Sequence, residues 1–200
     1  MGVELWAARL DRELTGEERR RMLAFLPPRR RQRLVQMRWK KGEREVLCAY
    51  WILRRALAEQ YQRQGELPRM AWSGAGKPWF PDCPQIHFSI SHTEGAVLAG
   101  LSHQAIGVDI ERARHVSGRL LRLLAPDGRE EDALREWVCR EAAGKRSGRG
   151  VGIPRVGEAP APEGMYPLEP FPGYFAAAAA CAPPQAVHVL PMEELAGWDM

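Results

Sequence analysis

The largely apolar stretch 3–10, broken by Glu4 and Arg9, reads as a short strand at the start of the chain. Thr15-Gly-Glu-Glu18 has the Ser/Thr-x-x-Glu spacing of a capping box and opens a helix that Pro27-Pro28 ends. Further on, Val46, Ala49, Tyr50, Leu53, Leu57 and Tyr61 recur at helical spacing. They predict a long helix with one buried face over about 41–64, stopped by Gly65. Short strands follow at 70–72, 86–90, 96–101 and 105–111, separated by Gly, Pro, Asp and Ser turns. Helical periods return over 117–124 and 132–145.

The pattern then breaks. Glycines and prolines crowd 147–173, so that stretch reads mostly as loop. The run 174–181 holds five alanines, which favour helix by propensity, but prolines flank it and leave only about one strand's length. It is read as a buried strand. A last strand at 187–190 and a short helix at 192–196 complete a mixed α+β order, helices on largely antiparallel sheets.

Composition adds bounds to this picture. The chain has 200 residues, 45% hydrophobic and 27% charged, a balance that builds a folded core and not a disordered tail. No apolar run approaches the ~18 residues of a membrane span, and Glu4, Arg9 and Asp11 argue against a secretory signal. Four widely spaced cysteines form no CxxC pair, which fits a reducing, cytoplasmic setting. The net charge of +4 is uneven. Residues 151–200 hold Arg155 against six acids, so residues 1–150 carry +9, much of it in Arg29-Arg30-Arg31-Gln32-Arg33 with Arg38, Lys40 and Lys41. Such a cluster suits phosphates or acidic proteins.

Candidate chemistry is sparse but ordered. In Gly107-Val-Asp-Ile-Glu111, residues two apart share a strand face, so Asp109 and Glu111 converge while Val108 and Ile110 face the core. Paired carboxylates suit magnesium, although taken alone an acidic strand end on the surface is the plainer reading. Trp137, Glu141 and Lys145 lie at i, i+4 and i+8 on one helix stripe. That stripe could add a third carboxylate and a phosphate clamp, or be an ordinary ion pair beside a core tryptophan. Phe88-Ser-Ile-Ser-His92 lacks a nucleophile elbow. A phosphate-binding corner of Ser91 and His92 fits it better, against the bland reading of a hairpin histidine. Lys77, in Gly76-Lys-Pro, sits on a stiff turn. The run Ser147-Gly-Arg-Gly-Val-Gly152 follows a helix and not a strand, so it is no dinucleotide loop.

Taken in sequence, the basic cluster, G-K-P-x-F (Gly76–Phe80), F-x-I-S-H (Phe88–His92), G-V-D-I-E (Gly107–Glu111) and W-x-x-x-E-A-x-x-K (Trp137–Lys145) resemble the 4′-phosphopantetheinyl transferases of the larger, surfactin-type subclass. The resemblance spans roughly 25–152 and continues faintly to the late strand before Cys181. It implies a fold of two similar α/β halves, pseudo-twofold related, with the active site between them and a boundary near Gln104: 1–104 for nucleotide contacts, 105–200 for the metal carboxylates and catalytic helix. It implies transfer of the phosphopantetheine arm of coenzyme A to a serine of an apo acyl or peptidyl carrier protein, releasing adenosine 3′,5′-bisphosphate. By position, Asp109, Glu111 and Glu141 would hold magnesium, with Glu141 also the base and Lys145 a catalytic phosphate contact. Ser91 and His92 would touch the phosphates, Lys77 the nucleotide, and Arg30 and Arg33 the 3′-phosphate.

Some positions depart from that family's pattern. Arg140 replaces a usual lysine, Glu45 stands where a basic residue is frequent, and Gly42 where aspartate is. The segments 112–136 and after 152 are shorter than usual. Two competing readings are a basic nucleic-acid-binding module built on 29–33, and a transferase-like protein that only binds. Against the first, no aromatics interleave the basic run in a stacking motif and the second half is acidic. Neither a membrane nor nucleic acid is therefore an expected partner. Against the second, the carboxylate set is complete.

Overall fold

A computed structural model describes residues 2–36, 42–63, 67–149 and 164–198. Arg38, Lys40, Lys41, Gly65 and most of the glycine-proline run at 150–163 lie outside the described residues. Strand β1 (Val3–Arg9) leads into α1 (Gly16–Ala24), where Thr15 and Glu18 complete the capping box expected from their spacing. Then come α2 (Pro28–Gln36), α3 (Glu43–Tyr61) and the two short strands β2 (Ala71–Trp72) and β3 (Pro78–Trp79). The hairpin β4 (His87–Thr93) and β5 (Ala96–Ser102) precedes β6 (Gly107–Arg112), α4 (Gly118–Leu124) and α5 (Glu130–Ser147). Strands β7 (Met165–Phe171), β8 (Tyr174–Ala179) and β9 (Pro184–Leu190) and helix α6 (Met192–Gly197) finish the chain. The class is α+β, and no described helix is long and apolar enough to cross a membrane.

One sheet runs β4-β5-β1-β9, with β9 parallel to β1 and the other pairs antiparallel. A second runs β6-β8-β7, all antiparallel. The period of two then sorts the side chains. Trp6, Ala8, Val97, Ala99 and Leu101 face a core with α3, while Leu5, Ala7 and Leu98 face the other way and pack against Val108, Ile110 and Ala178 of the second sheet. The far side of the second sheet, Phe175, Ala177 and Ala179, packs on Leu134, Val138 and Ala142 of α5. The order of layers is therefore helix, sheet, sheet, helix. The alanine run forms a strand because each alanine is pressed between two layers, and a helix could not meet both.

Two expectations change. The arginine run 29–33, read only as a charge cluster, is helical, and Pro28 stands at its first position, where the missing N–H costs nothing. The stretch 147–173, read as loop, contains β7. It is an edge strand, so Pro167 and Pro170 can leave their outer positions unpaired, and the register shifts between Leu168 and Phe171. After Ala180 the chain returns to the first sheet. There β9 pairs with β1, Trp51 Nε1 donates to the Leu195 carbonyl at 2.9 Å, and Arg54 lies 3.8 Å from the Phe25 ring centroid and 5.1 Å from that of Trp198.

Candidate active site

The second sheet presents Asp109 and Glu111 on the face opposite Val108 and Ile110, as their spacing predicts. Gly107 lets α5 come close to them. A Cβ there would sit 2.0 Å from the Ala142 carbonyl oxygen and 2.4 Å from the Arg146 nitrogen, so only glycine fits this contact. The close approach brings α5's stripe over the carboxylates. Lys145 Nζ lies 2.6 Å from Asp109 Oδ1 and 2.8 Å from Ser91 Oγ, and Ser91 donates to the same Asp109 oxygen at 2.7 Å. Trp137 hydrogen-bonds Glu111, which also meets Thr93 Oγ at 3.4 Å and Arg114 Nε at 3.8 Å.

The charge of Asp109 is felt by both Glu111 and Glu141. Burial first, and then the negative charge of Asp109, raise the carboxyl of Glu111 above its ordinary value. Glu141 is raised in the same way, by burial and then Asp109, with Glu111 adding to it and Lys145 opposing. Asp109 is 5% exposed, and its Oδ2 is buried without a hydrogen-bond partner. A buried carboxylate oxygen with no donor among the described residues, beside two carboxyls raised by burial and then by the charge of Asp109, fits a hard divalent cation. Among the described residues no three His, Cys, Asp or Glu side chains already close round one point in space, and the cation now facing Asp109 is Lys145.

Lys145 also lines a neighbouring cavity of about 320 Å³, together with Arg30, Arg33, Tyr50, Lys77 and Gly148. Arg30 Nε is buried without a hydrogen-bond partner, and among the described residues neither Arg30 nor Arg33 pairs with a carboxylate. The guanidinium of Arg30 lies 5.9 Å from the Tyr50 ring centroid, and that of Arg29 4.9 Å from the Trp72 centroid. Lys77 points its ammonium at the Arg146 and Ile106 carbonyls, at 2.8 and 3.2 Å, and so clips the β2–β3 turn to the end of α5. Burial, followed by Arg146, lowers its pKa.

Ser91 and His92 are neighbours on β4. Being adjacent on a strand they diverge, Ser91 into the carboxylates and His92 toward the cations of the cavity. The surrounding protein, then the charges of Arg30 and Lys145, lower the pKa of His92, although its side chain is exposed. Glu45, where a basic residue was expected, bonds Arg44 at 2.8 Å and accepts the Gly95 N–H at 3.3 Å. It holds the β4–β5 turn, where Gly95 has φ 77°. Arg140 pairs with Glu136 at 2.7 Å.

The motif reading missed Tyr50, Arg29 and Trp72, because their meeting depends on how α2 and the β2–β3 hairpin fold. It also missed Ser89 and Thr93, although Ser89, Ser91 and Thr93 alternate along β4 in plain view.

As a whole, a cation-lined cavity opens beside a carboxylate group, and Lys145 belongs to both. A polyanion can lie along the cavity with one charged group reaching the carboxylates.

No family model matches the chain. Among curated proteins it is similar to 4′-phosphopantetheinyl transferase Sfp of Bacillus subtilis (strain 168), with 28% identity over 164 residues, 76% of this chain and 73% of that protein. It is similar to 4′-phosphopantetheinyl transferase ffp of Bacillus subtilis at 26% over the same shares, and to psf-1 of Bacillus pumilus at 22% over 71% of this chain and 66% of that one. Relatives that share one activity in their names, matched along about three quarters of the sequence, support a transferase similar to the 4′-phosphopantetheinyl transferases of the Sfp type.

Proposed function

We propose that the protein moves the 4′-phosphopantetheine arm of coenzyme A onto a serine of an apo acyl or peptidyl carrier protein in the cytoplasm, releasing adenosine 3′,5′-bisphosphate. The observation that carries this reading is the junction at Lys145, where Arg30 and Arg33, without a carboxylate partner among the described residues, line one side and Asp109, whose charge reaches Glu111 and Glu141, stands on the other. Coenzyme A has that charge pattern: a 3′-phosphate for Arg30 and Arg33, and a pyrophosphate that reaches Lys145. Lys77 borders the nucleotide, and His92 and Ser91 flank the phosphates.

In this reading Asp109, Glu111 and Glu141 hold a magnesium ion, which when bound supplies neutralisation of the pyrophosphate charge. Glu141 takes the serine proton, which a carboxylate need accept only in the transition state. The serine oxygen forms a bond to the phosphorus of the pantetheine side as the bond to the bridging oxygen breaks, and that oxygen leaves with the bisphosphate. Lys145 faces the charge that develops there. The two α/β halves of the family fold, 1–104 and 105–200, would meet along β4 and β6.

The test is direct. The protein, magnesium, coenzyme A and a panel of apo carrier proteins are incubated and the carriers weighed by mass spectrometry. A phosphopantetheine mass increment on a carrier is expected, and its loss in a folded Asp109→Ala protein. An unmodified panel would overturn the reading.

A further inference from the structure

Strands β4 and β6 are the edges of two different sheets, and among the described residues no backbone hydrogen bond joins them. They nevertheless run side by side, because side-chain hydroxyls span the gap. Ser89 Oγ accepts the Val108 N–H at 3.0 Å, and Ser91 Oγ donates to Asp109 at 2.7 Å. Thr93 Oγ donates to Glu111 Oε2 and accepts the Arg112 N–H, both at 3.4 Å. The partners ascend together, so the strands are parallel in direction. At Ser91 and Thr93 one hydroxyl atom both donates and accepts, and at Ser89 the hydroxyl oxygen accepts.

The consequence is geometric. A backbone ladder would draw the strands to about 4.8 Å and fill the space between them. A hydroxyl spacer leaves that space open to the carboxylates of β6. It also grips the β6 backbone at Val108 and Arg112, on either side of Asp109 and Glu111.

We propose that Ser89 and Thr93 are positioning residues: their hydroxyls set where the Asp109 and Glu111 carboxylates stand relative to α5, and through that the site's hold on a divalent cation. This rests on the reading of those carboxylates as the metal-holding group. Ser89 is 6% exposed and meets Val108, which is fully buried, so its hydroxyl satisfies an N–H that water cannot reach.

Calorimetric titration of Mn²⁺ into the full chain tests it, with no transfer reaction involved. Thr93→Val keeps the volume and removes only the hydroxyl. It is expected to weaken Mn²⁺ by about 10-fold or more, the range for a lost outer partner of a metal ligand, with an unchanged melting temperature, and Thr93→Ser is expected to restore binding. Ser89→Ala is expected to weaken Mn²⁺ similarly; should it fail to fold, Thr93→Val still decides. Unchanged affinity in a folded Thr93→Val protein, with Asp109→Ala abolishing binding, overturns the positioning role and leaves the carboxylate site standing. Binding that ignores Asp109→Ala removes the carboxylate reading itself.

Discussion

The Lys145 ammonium sits 2.6 Å from Asp109 Oδ1, the same oxygen that accepts the Ser91 hydroxyl, while Oδ2 stays buried and unpaired. A residue from α5 thus neutralises a buried carboxylate of β6 and ties the helix to the sheet. Removing it should leave a charge with no compensation. Lys145→Met is expected to lower unfolding stability by about 1–2 kcal/mol, less than for a wholly buried pair because the Lys145 side chain is 31% exposed. Adding Asp109→Asn should recover part of the loss, because the uncompensated charge goes with it. Denaturant unfolding of wild type, both single variants and the double variant measures the coupling, and purely additive losses would mean that the contact contributes nothing.

The carboxylates beside that pair give stability a pH dependence of known sign. Glu141 has its carboxyl raised above its ordinary 4.5 by burial and then by Asp109. A group that binds its proton more tightly when folded favours the fold below its ordinary pKa, and loses that contribution as pH rises through the folded value. Metal-free wild type should therefore lose stability through this residue as pH rises above about 4.5. Glu141→Gln does not titrate, so in EDTA it should match wild type near pH 4 and melt higher than wild type by pH 7. Magnesium should reverse the order at pH 7, since only wild type keeps the full carboxylate set. Melting curves at the two pH values, with EDTA and with magnesium, check both signs.

Much of this site was legible in the sequence, for reasons that can be named. Asp109 and Glu111 share a face because a strand repeats every two residues, and Glu141 and Lys145 share a stripe because a helix nearly repeats every four. Helix α2 was hidden because the run of four arginines and one glutamine over 29–33 carries no apolar period; only Leu34 is buried in the helix. Pro28 read as a terminator when it is also a first-turn residue. Strand β7 was hidden by Pro167 and Pro170, which an edge tolerates and a central strand does not. The Lys145–Asp109 contact joins residues 36 apart, and Arg30 meets Tyr50 across two helices, so no local period could announce either.

The end of the chain supplies a stability prediction. Arg54 is 4% exposed and lies among the rings of Phe25, Trp51 and Trp198, at 3.8, 4.6 and 5.1 Å from their centroids. Trp198 also meets Trp51 edge-on at 5.8 Å. Trp198→Ala removes one wall of this cage and should cost about 2 kcal/mol, below the range for a wholly buried tryptophan because Trp198 is only partly buried. The urea midpoint should fall while the slope stays constant. An unchanged midpoint would mean that α6 is held by its carbonyl contacts alone.

The basic cavity yields the sharpest ligand test. Arg30 brings a buried Nε with no hydrogen-bond partner into a space it shares with Arg33, and neither has a carboxylate to neutralise it among the described residues. A guanidinium held this way should discriminate strongly for a phosphate at its end of the cavity, because a charge-assisted contact counts only where its anion exists. Arg30→Ala is expected to weaken coenzyme A by about 10- to 100-fold, the equivalent of one lost charged hydrogen bond, and to leave dephospho-coenzyme A nearly unaffected. Arg30→Lys should restore only part of the difference, since an ammonium keeps the charge but not the planar fork. Calorimetry with the two ligands reads the effect as a ratio. If both ligands weaken equally, Arg30 contributes a general positive potential and the 3′-phosphate binds elsewhere.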